Sequence, residues 1–175
     1  MMKRLFVVIL LTLIIGDSFS MKLSNNGKEF IKRIEKCSLT RYWDNDAYSI
    51  GYGHHMPVGT KQYTRITRKQ AEALLVQDLR SSEKSANKII SNLKWKVSQQ
   101  FFDGLVSVIY NCGEGGLLKT EFYSRLQRCR HKNGVVNNKD LVFTIAAIKT
   151  ARIPKNKQLA EVVRSRRQEE HAMML

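Results

Sequence analysis

The sequence predicts an α+β fold, mostly helical, in which a small β-hairpin lobe is joined by one long helix to a helical C-terminal lobe. Three observations carry that expectation. A short amphipathic stretch ends at Glu35, the helical period then vanishes between Thr40 and Thr64 where glycines and aromatics cluster, and two long apolar-periodic runs follow from Thr67 onward. No repeat, low-complexity tract or linker divides the chain, and 175 residues with 43% hydrophobic content suffice for one domain with its own core.

Between Gly27 and Cys37, apolar Phe30, Ile31, Ile34 and Cys37 recur at helical spacing, with Lys28, Lys32, Arg33 and Lys36 on the other side. Glu35 falls in the last turn. Alternating pieces around Tyr48 to Tyr52 predict a small β-hairpin. Thr67 with Gln70 makes a capping box, and the apolar positions from Ala71 to Leu93 give a long amphipathic helix bridging the lobes. Ser98 caps a helix that is apolar on most sides from Phe101 to Tyr110, belongs in the core and ends at Gly113. Three shorter helices are expected near 120–130, 138–150 and 156–174, with Pro57 and Pro154 outside all helices.

The first twenty residues stand apart. Met1-Met2-Lys3-Arg4 is a basic start, Leu5 to Ile15 is apolar apart from Thr12, and Ser18-Phe19-Ser20 supplies the small residues of a cleavage point. Residues 1–20 therefore read as a secretory signal peptide and 21–175 as the functional domain. A spanning helix needs about 20 apolar residues, so a retained anchor over 5–16, tethering the chain to the inner membrane, is the alternative. Either way an exported protein is expected, in the periplasm or outside the cell.

With 30 Lys and Arg against 15 Asp and Glu, the chain carries +15. Such a charge selects polyanions, and export directs it to anionic envelope polymers rather than nucleic acid. A monomer is expected. Cys37, Cys112 and Cys129 permit at most one internal disulfide and leave one thiol, and the pairing stays open. Cys37 reads either as a small core residue or as a redox switch two positions from Glu35. His54 and His55 lack a third ligand at suitable spacing, so neither a metal nor a cofactor is expected.

The chemistry concentrates at Glu35 and Asp44. Glycosidic hydrolysis needs one carboxyl that protonates the leaving oxygen and a second, ionised one that serves as base or nucleophile. Glu35, at a helix end near Tyr42, Trp43 and Tyr52, suits the first role; Asp44, on a polar turn, suits the second. A Ser49 hydroxyl beside Asp44 can hold a water, and Gly51 and Gly53 allow close backbone approach to a saccharide. By spacing alone, a solvated helix glutamate and a turn-forming Asp44-Asn45-Asp46 fit equally.

The stretches Phe30-Ile31-Lys32-Arg33-Ile34-Glu35, Tyr42-Trp43-Asp44 and Ser49-Ile50-Gly51-Tyr52-Gly53-His54 resemble, in order, the signature of the phage-type lysozymes, or endolysins, of glycoside hydrolase family 24. Gln100 to Gly113 is similar to that family's central helix, and Arg166-Arg167 with Glu170 to its terminal one. The resemblance implies a lysozyme-like fold and cleavage of the β-1,4 bond between N-acetylmuramic acid and N-acetylglucosamine in bacterial peptidoglycan. It implies Glu35 as general acid, Asp44 as base through water, Ser49 at the place of the family's threonine, and Asn111 and Tyr52 as substrate-binding residues. Asn111 reads equally as a helix cap. Arg166 and Arg167 read as binding the Glu35 carboxyl or wall anions, or as a solvated basic face of the terminal helix.

Three departures stand out. The segment between Asp44 and Ser49 is one residue short, which leaves Asp46 as a rival carboxylate; Ser49 lacks threonine's methyl; Lys36 replaces the usual glycine after the acid. Two competing functions remain at this stage: an inactive basic module that grips peptidoglycan, and membrane disruption by the terminal helix Leu159 to Met174.

Overall fold

The computed structural model describes residues 20–44 and 46–175. The expected signal peptide or anchor lies outside the described residues, apart from Ser20, and so does Asn45 of the hairpin turn. Among the described residues, no helix is long and apolar enough to cross a membrane.

Helix α1 (Asn25–Glu35) leads into an antiparallel sheet of β1 (Ser38–Asp44), β2 (Ala47–Gly51) and β3 (His54–Met56) in that spatial order. The expected hairpin is thus extended by a third strand. Helix α2 (Arg68–Leu93) runs from the sheet into the C-terminal lobe, where α3 (Gln99–Leu118), α4 (Glu121–Arg128), a short β4–β5 hairpin (His131–Lys132, Val135–Val136), α5 (Asn138–Ala146), a 3₁₀ turn (Ala147–Thr150) and α6 (Lys157–Met174) follow.

Each of α1 to α6 starts on a side chain that takes up a free backbone N–H: Ser24, Thr67, Ser98, Thr120, Asn137 and Asn156. The Thr67–Gln70 box is closed in both directions. From Phe101 to Ile109, α3 is buried on all sides, and Leu75, Leu79 and Ile89 of α2, Phe122 and Leu126 of α4, Ile145, Ile148 and Met174 complete the core around it. Buried apolar surface stabilises by about 25 cal/mol per Å², so the burial of this helix is a major source of cohesion.

Two local departures bear on the site. At Gly113 the backbone turns to φ 70°, ψ 161°, so α3 kinks there and a further helical piece carries on to Leu118 instead of ending. Lys36 takes φ 58°, the left-handed value that the family's glycine would adopt without cost, while its N–H closes α1 on the Lys32 carbonyl.

Candidate active site

A cleft of about 550 Å³ opens between the sheet lobe and the kinked end of α3, lined by Glu35, Tyr42, Asp44, His55, Asp78 and Asn111, among others. Two of its carboxyls, those expected from the sequence, arrive by different routes. Glu35 is the last residue of α1 and comes to the cleft wall because the chain turns sharply at Lys36. Asp44 ends β1, paired with Ala47 at the hairpin tip, rather than lying within the turn itself.

The Glu35 carboxyl is held by a buried charge network. Arg166 Nη1 donates to Glu35 Oε1 at 2.5 Å. Arg166 is in turn fixed by Glu170, through Nε at 2.8 Å, and by the Ser107 carbonyl and hydroxyl. Glu170, fully buried, also accepts from Ser107 Oγ at 2.7 Å and from Arg167 Nη1. Burying ions is costly unless every hydrogen-bonding position is filled, and here each charge has an opposite partner. Arg166 is therefore a positioning residue, and of the alternatives left by the sequence it takes the Glu35 carboxyl.

Arg167 extends the network to the cleft. Its Nη2 donates to Asn111 Oδ1 at 2.7 Å and its Nε to the Ala151 carbonyl. Asn111, exposed in the cleft, is thereby oriented, and among the described residues its Nδ2 has no protein partner. That leaves an amide donor uncommitted in the cleft lining.

Across the cleft, β1 and β2 pair Tyr42 with Ser49, and the Ser49 hydroxyl lies 3.5 Å from Asp44 Oδ2. Tyr42 shares this cluster: burial first, then the charges of Asp44 and Glu35, push its phenol up, against a hydrogen bond with Ser49. Gly53, at φ 90°, passes beside the acid, and a side chain there would begin 3.8 Å from Glu35 Oε2. Asp46, at the exposed tip, is 3.8 Å from His55 Nε2.

Tyr52 is placed elsewhere. Its ring is buried and its hydroxyl accepts from Arg68, while its carbonyl accepts from the Tyr110 hydroxyl at 2.8 Å. It does not line the cleft, which its position in the turn between β2 and β3 did not reveal. Trp43 also faces away, edge-on to Tyr48 on the outer side of the sheet. Tyr110, Asp78 and the Ser85–Glu114 pair, absent from the sequence reading, do line the cleft. Tyr110 sits next to Asn111 at the end of the apolar helix, a signal that was available; Asp78 carried none. The three cysteines are free thiols, and Cys37 packs against the core.

Comparison with known proteins agrees with this fold. The phage lysozyme family model matches residues 32–170. An endolysin of Lactococcus phage c2 is 40% identical over 97 residues, which cover 53% of this chain and 40% of the relative. An endolysin of Bacillus phage PZA is 36% identical over 114 residues, 63% of this chain and 42% of that protein. The match thus spans about two-fifths of the length of these relatives. Among solved structures, the endolysin from Escherichia coli O157:H7 phage FAHEc1 superposes with a TM-score of 0.70 at 28% identity, covering 89% of this chain and 94% of that one. With the family model matched across the site from α1 to Glu170, the chain belongs to the phage lysozyme family.

Proposed function

We propose that this protein is a muramidase that hydrolyses the β-1,4 bond between N-acetylmuramic acid and N-acetylglucosamine in bacterial peptidoglycan, acting outside the cytoplasm as a monomer and causing host lysis. The observation that carries the reading is the pairing, in one cleft, of a carboxyl fixed by Arg166 with a second carboxyl held beside a hydroxyl.

Glu35 is the general acid: Arg166 occupies Oε1, and Oε2, on the Gly53 side, carries the proton to the leaving oxygen. Asp44 takes a proton from a water steadied by Ser49, and that water's oxygen bonds the anomeric carbon as the glycosidic bond breaks. A water between the two carboxyls implies inversion. Asn111 Nδ2 binds a sugar amide carbonyl. Family membership and the filled charge network around Glu35 support this reading over an inert wall-binding module or a membrane-disrupting helix.

Glu35→Gln keeps the size of the acid and removes its proton. On purified peptidoglycan it is expected to abolish release of reducing ends while leaving wall binding intact. Unchanged release by this variant would falsify the proposal.

A further inference from the structure

The cleft of this strongly basic chain is lined by carboxylates, Glu35, Asp44, Asp78 and Glu114, so the +15 charge acts elsewhere. Part of it lies on the C-terminal lobe, around α4 and the β4–β5 hairpin. Two adjoining grooves lie there, one of about 540 Å³ between α4 and α5 and one of about 280 Å³ along β4 and β5, and Arg130 lines both. Arg125 and Arg128 continue the cationic track on one side, His131 and Lys132 on the other. Phe143, 64% exposed, and Val135, 58% exposed, form apolar walls.

The acids in the first groove are already engaged. Glu121 accepts twice from Arg125, and Asp140 accepts from Asn137 Nδ2. Arg125 is further fixed by the Phe143 carbonyl and stacks 4.3 Å above the Phe143 ring. Among the described residues, no carboxylate lies within ion-pair distance of Arg128, Arg130 or Lys132. These exposed cations are left for an external anion.

We propose that this double groove binds a polyol-phosphate polymer attached to the cell wall, anchoring the protein beside its substrate; the proposal rests on the wall being the target. A row of cations along one track matches a repeating anion better than a single carboxylate. Guanidinium forks suit phosphate oxygens, and the apolar walls accommodate the carbon units between phosphates. A bilayer surface is flat and does not follow two recessed grooves.

The test uses the full chain carrying Glu35→Gln, so that the wall survives, and measures binding to wall sacculi before and after hydrofluoric acid has stripped the phosphate polymer. Stripping is expected to weaken binding at least about tenfold, and salt to weaken binding to the intact wall. The triple variant Arg128→Gln, Arg130→Gln, Lys132→Gln is expected to lose the preference while keeping the parent's unfolding temperature. Equal affinity for both sacculi overturns the proposal, as does a triple variant that retains the preference. Binding that prefers phosphatidylglycerol vesicles to the isolated polymer also overturns it and assigns the surface to a bilayer. With Glu35 restored, the triple variant should release reducing ends from soluble stripped fragments at the parent's rate. A parent that releases none while still preferring intact wall refutes the hydrolytic reading and leaves the binding site standing.

Discussion

Glu35 and Asp44 are close in sequence and share a cleft, yet they are held in opposite ways. Glu35 is gripped by a buried network whose other members, Ser107, Arg166, Arg167 and Glu170, lie in the C-terminal lobe. Asp44 sits at a hairpin tip, where the Ser49 hydroxyl, five positions along the chain, lies 3.5 Å from its Oδ2. One half of the site is a product of the tertiary fold and the other of a local turn. Stability and activity should therefore be coupled at Glu35 and separable at Asp44.

The largest effect tests the coupled half. Replacing Arg166 with Leu strips Glu170 of one of its two cations and leaves buried carboxylates unbalanced, at an expected cost of about 3–5 kcal/mol in urea unfolding. Turnover should fall with it, because Glu35 loses its positioning partner. A variant that unfolds like the parent would show that the network is not a source of stability.

At the separable half, Asp44→Asn is expected to lower reducing-end release by at least about a hundredfold, in the range usual for a lost general base, while unfolding shifts by less than about 0.5 kcal/mol. Asp46→Asn should change neither. The opposite pattern would transfer the base to Asp46, which the shortened turn before Ser49 keeps as a rival.

The same contrast explains what the sequence disclosed. Helix starts were legible because capping is a local rule: Thr67, Ser98 and the three late helices lie where their side chains dictate. The β4–β5 hairpin was equally legible and was missed; Asn133-Gly134, at φ 52° and 83°, is the turn pair that favours two-residue hairpins. Arg166 reached Glu35 only through resemblance, since no spacing rule joins residues 131 positions apart. Tyr52 was misplaced because it lies in the turn between β2 and β3, where no strand alternation says whether a ring is buried.

A third prediction concerns the tie between the lobes. His54 Nδ1 lies 2.9 Å from Asp78 Oδ2, joining β3 to α2. Burial, the larger influence, holds the Asp78 carboxyl above its ordinary range, while the hydrogen bond and charge of His54 pull it down. Because the folded-state value is raised, ionising Asp78 costs stability as pH rises through it, and that cost is absent below the unfolded value. His54→Asn removes the compensating pull, so a loss of about 2 kcal/mol is expected at neutral pH, shrinking as the solution approaches about pH 4. A pH-independent loss would mean that packing, not the charge of Asp78, is what His54 supplies.

The smallest effect lies at the hinge between the two halves of the comparison. Lys36 holds φ 58° where α1 must stop so that Glu35 faces the cleft and β1 can begin. With ψ at 178° this conformation is essentially confined to glycine, and another residue there carries a cost of about 1–3 kcal/mol. Lys36→Gly should therefore raise stability slightly, by up to about 1 kcal/mol, with part of the gain lost to the greater freedom of glycine in the unfolded chain. Turnover should stay close to the parent's, because Arg166 rather than the turn fixes the carboxyl. If the substitution instead lowers turnover while stability rises, the strained turn itself aims Glu35, and the local and tertiary halves of the site are less separate than their hydrogen bonds imply.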